Sequence, residues 1–366
     1  MGLWAAVKAE RLGIRTVLVE AAHPGAGASG GLLGALMSHT PDKWNDKKRF
    51  QFDALLSLEN EVARLEEETG LSCGYRRSGR LIPLPKPHLV EIAHRHARDA
   101  EENWSGGPRR FHWSYLEQSP HKGWPDPSFA QAGLVHDSFA AKASPRRLVA
   151  ALAAALKAAR HVTVVEGLEA VRIDPVSKHV RFLDGSSLSF GHCIVAAGHK
   201  SFPLLGALSP LAMRPMGQPV KGQAALLKAD VDPDLPLLFL NGLYVVPHEG
   251  GHVAIGSTSE EEFDAPYKTD AQLNDLLARA QALVPRLQGA EVVERWAGLR
   301  PKAIGRDPMV GAHPDHPGVI ALTGGFKVSF GIAHRLADAA LAALGVQEID
   351  VPQTFHFSAH ITLASR

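Results

Sequence analysis

The sequence is poor in cysteine: its 366 residues include only Cys73 and Cys193, which are far apart. Two such residues cannot build a disulfide framework or a cysteine-rich metal centre, and they fit reduced thiols in a cytoplasmic protein better. Among the histidines, His94 and His96 are two positions apart on a predicted helix and therefore face apart. We predict no metal site.

Long apolar runs and an excess of one charge are also missing. Lys and Arg total 39 and Asp and Glu total 38, for a formal net charge of +1. This balance gives no electrostatic reason to expect nucleic acid or a membrane as partner, and no apolar run is long enough to cross a bilayer. A soluble protein of two domains is the expectation from length and composition, and a homo-oligomer is compatible with it.

The start of the chain lacks part of a dinucleotide-binding unit. Residues 2–12 have helical periodicity and end at Gly13, and residues 15–20 form a short β-branched segment that ends in Glu20. This helix, strand and terminal acid follow the G-x-G-x-x-G fingerprint in a Rossmann unit, but only the last glycine of the fingerprint is here, as Gly2. We therefore interpret Met1 as an internal methionine of a longer polypeptide, or as a wrongly chosen start.

A loop with five glycines follows, from His23 to Gly34. Its glycines allow backbone N–H groups to approach an anion, and Ser29 can cap a helix. The sequences Val17-Leu-Val-Glu20 and Gly27-Ala-Ser-Gly-Gly-Leu-Leu-Gly34 resemble the second strand and the pyrophosphate and flavin loop of the D-amino-acid oxidase superfamily, FAD-dependent oxidoreductases that include glycine oxidase and sarcosine oxidase.

The resemblance implies an FAD site assembled from separate parts of the chain. Glu20 would accept from the ribose, Ala170 would contact adenine through its backbone, and Gly198 would mark a close approach to the cofactor. The segment 319–332 is a second strand, glycine turn and helix, whose helix is predicted to begin at Gly331 and to point at the flavin. The implied cofactor residues are Gly2, Glu20, Ala28, Ser29, Gly30, Gly31, Leu32, Ala170, Gly198, Gly324, Gly325, Lys327, Ser329, Gly331 and Ile332.

The expected fold is α/β, with a Rossmann-like FAD-binding domain whose first strand is missing. It is interleaved with an α+β substrate domain built on an antiparallel sheet. The predicted FAD-binding domain is discontinuous and comprises residues 1–45, 133–205 and 297–366, while residues 46–132 and 206–296 form the substrate domain. Strands at Gln223–Leu227, Leu243–Val246 and His252–Ile255 would form the floor of the substrate domain.

Two residues are candidates for substrate contact. Trp296-Ala-Gly-Leu-Arg-Pro301 is predicted to end a strand, which would place the Arg300 guanidinium at the strand terminus for forked binding of a carboxylate. The family resemblance gives Arg300 this role and places Tyr244 over the substrate; an arginine paired with a nearby acid and a core tyrosine are the structural alternatives. The implied reaction oxidises the C–N bond of a small amine or amino acid by hydride transfer to flavin N5, with oxygen or another acceptor reoxidising the flavin.

Two other functions stay open at the level of sequence. A tRNA-modifying FAD oxidase also uses a G-A-S-G-x-x-x-G loop, although the near-zero net charge and the absence of a basic run disfavour it. A cofactor-free remnant without catalytic activity is the alternative from a different class, because the first two glycines of the fingerprint are absent.

The missing fingerprint glycines give a direct prediction for FAD binding. The chain Met1–Arg366 should hold FAD poorly, whereas a version extended by a first strand and G-x-G should be yellow when purified, because the glycine turn is what lets backbone approach the diphosphate. The absorbance of the two purified proteins near the flavin bands measures this. Stoichiometric, tightly bound FAD in Met1–Arg366 would contradict the interpretation.

Overall fold

The computed structural model describes residues 1–210, 212–346 and 349–366. Its helices alternate with short strands along most of the chain, and the α-helices are α1 (Gly2–Arg11), α2 (Asp46–Thr69), α3 (His88–Asn103), α4 (Pro145–Lys157), α5 (Ser201–Gly206), α6 (Ala271–Leu283), α7 (Ser329–Ala342) and α8 (Phe357–Ala364).

The strands are short in the first half of the chain and longer in the second half. They are β1 (Thr16–Glu20), β2 (Ala35–Leu36), β3 (Arg80–Pro83), β4 (Ser105–Gly106), β5 (Arg109–Arg110), β6 (Trp113–Leu116), β7 (Leu134–Asp137), β8 (Ala141–Lys142), β9 (Val162–Glu166), β10 (Ala170–Asp174), β11 (His179–Phe182), β12 (Ser187–Ser189), β13 (Cys193–Val195), β14 (Gly217–Lys228), β15 (Leu237–Leu240), β16 (Leu243–His248), β17 (His252–Gly256), β18 (Glu291–Ala303), β19 (Met309–Ala312) and β20 (Val319–Thr323).

The long helix α2 shows how local sequence sets the helix ends. The Asn45 side chain accepts from the backbone N–H of Lys47 at 3.1 Å and of Lys48 at 3.2 Å, which satisfies two donors of the first turn. Gly70 ends the helix with φ +68°, a conformation that glycine adopts without a Cβ penalty. Between these ends, Phe52, Leu58 and Leu65 are fully buried and anchor the helix in the largest apolar core.

The largest sheet has eight strands, in the order β18-β14-β17-β16-β15-β3-β7-β6. Its pairs are antiparallel except for β15 with β3. One face packs on the apolar side of α6, and the opposite face packs on Leu32 and Leu33 of the glycine loop. Any side chain on this second face therefore points toward the loop.

The parallel strands form two smaller sheets. β1 pairs with β9, and β13 pairs with β20, which is joined on its other side by antiparallel β19. A Cβ atom built on Gly2 would lie 3.3 Å from the Cβ of Ala196, after β13, and 4.0 Å from Leu18 of β1. The start of α1 thus lies between the two parallel pairs, and the fold is mixed α/β, as the sequence predicts.

Several local predictions are wrong. The pattern of residues 75–84 predicts a strand pair, but this segment contains the single strand β3. The stretch 103–127, whose Trp, Pro, Gly and Ser content predicts a connection, contains β4, β5 and β6. Ser144-Pro145 predicts an N-cap, yet the Ser144 side chain makes no cap hydrogen bond with α4. Helix α7 begins at Ser329, two residues before the predicted start at Gly331. In the part of the chain that the structure describes, no helix is both long and apolar enough to cross a membrane.

The predicted end of the strand at Arg300 is also wrong, because β18 continues to Ala303. Proline lacks the N–H that a strand donates to its neighbour, so Pro301 was expected to end the strand. Instead it is paired within the ladder, directly opposite Pro219 of β14. β18 is an edge strand of the sheet, where proline is tolerated. Arg300 is consequently held within a paired strand rather than by a terminal turn.

Candidate functional site

The glycine loop is shaped by close backbone approaches that exclude side chains. A Cβ on Gly30 would overlap the carbonyl oxygen of Gly25, and a Cβ on Gly34 would overlap that of Ala143. Gly34 also has φ +68°, which strains other residues. These positions require glycine for the fold of the loop itself.

Two carbonyl groups of this loop are bonded by side chains from outside the loop. Arg146 donates through Nε to the Gly30 carbonyl at 2.8 Å, and His248 lies with Nε2 3.0 Å from the Leu33 carbonyl. Burial lowers the pKa of His248 to about 4, so the ring is neutral near pH 7 and donates through Nε2. Within the described residues, the N–H groups of Leu32 and Leu33 donate to no protein acceptor, as a loop that binds an anion requires.

Strand β18 connects this loop to the rest of the site. The Glu294 carboxylate pairs with both terminal nitrogens of Arg146, at 2.7 and 2.5 Å. Two residues along the strand, the Trp296 ring would lie 3.2 Å from a Cβ on Gly31. Because alternate residues of a strand share a face, Arg300 lies on the same side of the sheet, four residues further on.

The Arg300 guanidinium packs against Gly222. Nη1 and Nη2 each donate to the Thr258 carbonyl at 3.1 Å, and a Cβ on Gly222 would overlap the guanidinium. Burial lowers the pKa of Arg300, although nearby Tyr244 and Glu260 act in the opposite direction. Among the described residues, no carboxylate forms an ion pair with Arg300. The alternative of a structural arginine paired with an acid therefore finds no support in these contacts.

Tyr244 and Lys327 lie beside Arg300. Tyr244 lies on β16 and its ring centroid is 4.8 Å from that of Phe239. Burial raises the pKa of Tyr244, against the effect of Arg80 and Arg300, so the phenol is a hydrogen-bond donor at neutral pH. Burial lowers the pKa of Lys327, and neighbouring Arg300 lowers it further. Arg300 therefore interacts electrostatically with both Tyr244 and Lys327.

The second glycine turn brings Gly198 and α7 to the same region. Thr323, at the end of β20, donates its hydroxyl to the Gly198 carbonyl at 2.8 Å. Gly324 has φ +75°, and a Cβ on it would lie 2.8 Å from Ala303 of β18. On the next residue, Gly325, a Cβ would lie 2.5 Å from the Ser329 hydroxyl in the first turn of α7, and would overlap Met1. Gly331 and Ile332 follow within α7.

Glu20 and Ala170 lie near each other but away from Arg300 in the sheet arrangement. Glu20 ends β1 opposite Glu166 of β9, and its carboxylate accepts from the Ala22 N–H at 3.0 Å. The Glu20 carbonyl accepts from the Leu168 N–H at 3.1 Å, two residues before Ala170 begins β10. The end of β1 is thus next to the start of β10.

A buried ion pair that the sequence did not predict lies on the sheet face that carries Arg300. Arg80 of β3 and Asp137 of β7 are 5% and 0% exposed, with Nη2 2.7 Å from Oδ2. Arg80 also directs Nη1 at the Met37 sulfur, 3.2 Å away, and stacks over Trp113 at 5.4 Å. The charged residue at the start of the apolar run Arg80-Leu-Ile-Pro83 was the one feature of the sequence that could have indicated this pair.

Metal binding finds no support in the described residues, where no three His, Cys, Asp or Glu side chains are grouped to hold an ion. The spacing H-x-x-x-H does occur twice, at His248–His252 and at His356–His360. The two members of the first pair lie opposite each other on strands β16 and β17. In the second pair, His360 places Nδ1 3.1 Å from the Ile304 carbonyl and Nε2 3.0 Å from the Pro308 carbonyl. Cys73 and Cys193 are both free thiols.

Comparisons with known proteins agree on one family. A family model described as FAD dependent oxidoreductase matches residues 1–339. Glycine oxidase from Pseudomonas putida is 36% identical over 177 residues, which are 47% of this chain and 47% of that protein. Glycine oxidase from Geobacillus kaustophilus is 28% identical over 323 residues, covering 86% of this chain and 82% of that protein.

Solved structures give the same fold. The crystal structure of glycine oxidase from Geobacillus kaustophilus superposes with a TM-score of 0.82 at 24% identity, over 97% of this chain and 95% of that one. That of iminodiacetate oxidase from Chelativorans sp. BNC1 superposes with a TM-score of 0.83 at 19% identity, over 97% and 95%. The mixed α/β architecture is therefore that of these oxidases.

The glycine loop offers a matched pair of substitutions. Gly30→Ala should weaken FAD binding by about tenfold or more, because the new Cβ overlaps the Gly25 carbonyl and displaces backbone that is predicted to approach the cofactor. Gly27→Ala, in the same loop, meets nothing within 4 Å and should leave affinity within about twofold. Titration of each protein with FAD, followed by flavin fluorescence, measures both. Equal affinities of the two variants would argue against the loop as the FAD cradle.

Proposed function

This chain belongs to the DAO family of FAD-dependent oxidoreductases, and we propose that it oxidises the C–N bond of a small amine or amino acid that carries a carboxylate. The observation that carries the proposal is the state of Arg300. It is a charged side chain on the loop-facing side of the sheet, bonded to a neutral carbonyl and without an ion-pair partner among the described residues. A substrate carboxylate would give this guanidinium its counter-ion.

The glycine loop fits the diphosphate of FAD. Its Gly30 and Leu33 carbonyls are held from outside by Arg146 and His248, while the N–H groups of Leu32 and Leu33 donate to no acceptor among the described residues. We propose that this loop holds the diphosphate, that Glu20 accepts from the ribose and that the start of β10 contacts adenine. The remaining proposed contacts come from the second glycine turn and the first turns of α7: Gly198, Gly324, Gly325, Lys327, Ser329, Gly331 and Ile332.

Substrate binding follows from the placement of three side chains. Arg300 would bind the substrate carboxylate with its outward N–H groups while the Thr258 carbonyl holds the other side of the guanidinium. Tyr244 would donate its phenol hydrogen to the same carboxylate, since burial keeps the phenol protonated. Lys327 would add positive potential next to Arg300. The carboxylate fixed in this way leaves the amine end of the substrate facing the cofactor.

The chemistry needs little acid–base assistance from the chain. Bound FAD would supply the acceptor, at N5, for the hydride lost from the carbon next to the amine. Orientation is the protein's main contribution. Holding the α-hydrogen at a fixed distance and angle from the hydride acceptor makes a bimolecular step effectively unimolecular. The resulting imine would be hydrolysed by water, and oxygen or another electron acceptor would complete the cycle. We also propose the division into an FAD-binding domain and a substrate domain as set out from the sequence.

Arg300→Lys tests the carboxylate role. In protein saturated with added FAD, this variant should raise KM and slow flavin reduction for a carboxylate-bearing amine by about tenfold or more. A lysine keeps the charge but cannot reproduce the fork of the guanidinium. Stopped-flow absorbance of the flavin measures the reduction rate.

An amine without a carboxylate is the control for Arg300→Lys. It should be a poor substrate for the unmodified protein and nearly indifferent to the substitution. An Arg300→Lys protein that loses stability or FAD affinity, rather than turnover of the carboxylate substrate, would return Arg300 to a structural role.

A further inference from the structure

In the described part of the chain, Thr258 is the only residue to which the Arg300 side chain donates hydrogen bonds, and it accepts both with its backbone carbonyl. The residue follows β17 in a segment without regular secondary structure. A carbonyl on such a segment can hold a guanidinium in one place only if the segment itself is held. The contacts of the Thr258 side chain show how this is done.

A buried polar cluster surrounds Thr258. Its hydroxyl accepts from the Gln223 backbone N–H at 2.9 Å and donates to the Glu260 carboxylate. The same carboxylate accepts from the Gln223 side-chain amide at 2.9 Å and lies 3.3 Å from the Lys221 ammonium. Lys221, Gln223 and Glu260 are 2%, 0% and 8% exposed. Thr258 is therefore fixed from two sides by groups that cannot exchange their bonds for water.

The cluster is anchored to a helix. Asp270, the N-cap of α6, accepts from the Lys221 ammonium at 2.7 Å and from the Gln223 side-chain amide at 2.8 Å. Its backbone N–H donates to the Gln223 side-chain oxygen at 2.9 Å. Burial alone would lower the pKa of Lys221, but its bonds with Asp270 and Glu260 raise it, so the ammonium stays charged. We call Lys221, Gln223, Thr258, Glu260 and Asp270 the Thr258 cluster.

Glu260 is the acid that could compete for Arg300. Glu260 lies two residues after Thr258, and its charge raises the Arg300 pKa against the larger effect of burial. In the described part of the chain, the two side chains nevertheless form no ion pair. The Glu260 oxygens are occupied by Thr258, Gln223 and Lys221 instead. An unoccupied carboxylate this near would be the obvious counter-ion for the guanidinium.

We propose that the Thr258 cluster is a positioning device for Arg300 with two effects. It holds the Thr258 carbonyl where both guanidinium nitrogens reach it, and it ties the Glu260 carboxylate away from the guanidinium. Arg300 thereby stays oriented and without an internal counter-ion until a substrate carboxylate arrives. This inference rests on the proposed role of Arg300, since a cluster that positions a non-binding arginine would have no effect on substrate.

Thr258→Val against Thr258→Ser is the matched test. Valine keeps the shape of threonine and removes both hydroxyl bonds, whereas serine keeps them. In FAD-saturated protein, Thr258→Val should raise KM for a carboxylate-bearing amine by about fivefold to twentyfold, because the carbonyl that orients Arg300 is loosened rather than removed. Thr258→Ser should stay within about twofold of the unmodified protein. Steady-state kinetics with the carboxylate substrate and with an uncharged amine measures both KM values.

The split between substrates separates positioning from mere stability. A purely structural role would lower the midpoint of thermal unfolding and change both substrates equally, which would overturn the proposal. The double variant Thr258→Val/Glu260→Gln should have a lower KM than Thr258→Val, because an amide cannot serve as counter-ion for Arg300. No recovery would overturn the competition by Glu260.

A second single variant guards against poor folding of Thr258→Val. Lys221→Met releases the other side of the Glu260 carboxylate and leaves the Thr258 hydroxyl in place, and it should raise KM for the carboxylate substrate in the same direction. Failure of the proposed function has a different signature: the unmodified protein would show no preference for a carboxylate-bearing amine. With that preference present, an unchanged KM in Thr258→Val or Lys221→Met would overturn the inference alone.

Discussion

The antiparallel pairing of β18 with β14 is the constraint on which both halves of the site depend. It fixes Glu294, Trp296 and Arg300 on one sheet face, with about 20 Å of strand between the first and the last. Glu294 reaches the glycine loop through Arg146, and Arg300 reaches the proposed substrate position. A shift of this register by one residue would turn all three side chains to the α6 face. The distance between the proposed cofactor loop and the proposed carboxylate-binding group is therefore set by backbone hydrogen bonds.

Glycines make this arrangement sterically allowed. Gly222, on the neighbouring strand, leaves the space in which the Arg300 guanidinium lies, and Gly31 leaves the space against the Trp296 ring. Arg300 and Lys327 are held close together in surroundings that lower the pKa of each. An anion bound beside both cations would offset their desolvation, which supports the proposed carboxylate ligand.

The sequence predicted the parts of this site that are encoded locally. The glycine loop, Glu20 at a strand end and the second glycine turn are contiguous patterns, and the structure places them at the ends of β1 and β20 as expected. Arg300 was found by its motif, but its setting was not, because continuation of β18 past Pro301 depends on pairing with β14, which is distant in the chain. Thr258 and the Arg80–Asp137 pair were missed for the same reason. Their partners are distant in the chain, and no local periodicity reports which strands become neighbours.

The most direct test of the account is anaerobic reduction of the flavin by substrate. The protein is saturated with added FAD and mixed, without oxygen, with small amines that do and do not carry a carboxylate, while the flavin absorbance is followed. If Arg300 binds the substrate carboxylate, a carboxylate-bearing amine should bleach the flavin and the uncharged amines should do so far more slowly, because only the former engages Arg300. Bleaching at equal rates by both kinds of amine, or by neither, in protein shown to hold FAD would contradict it.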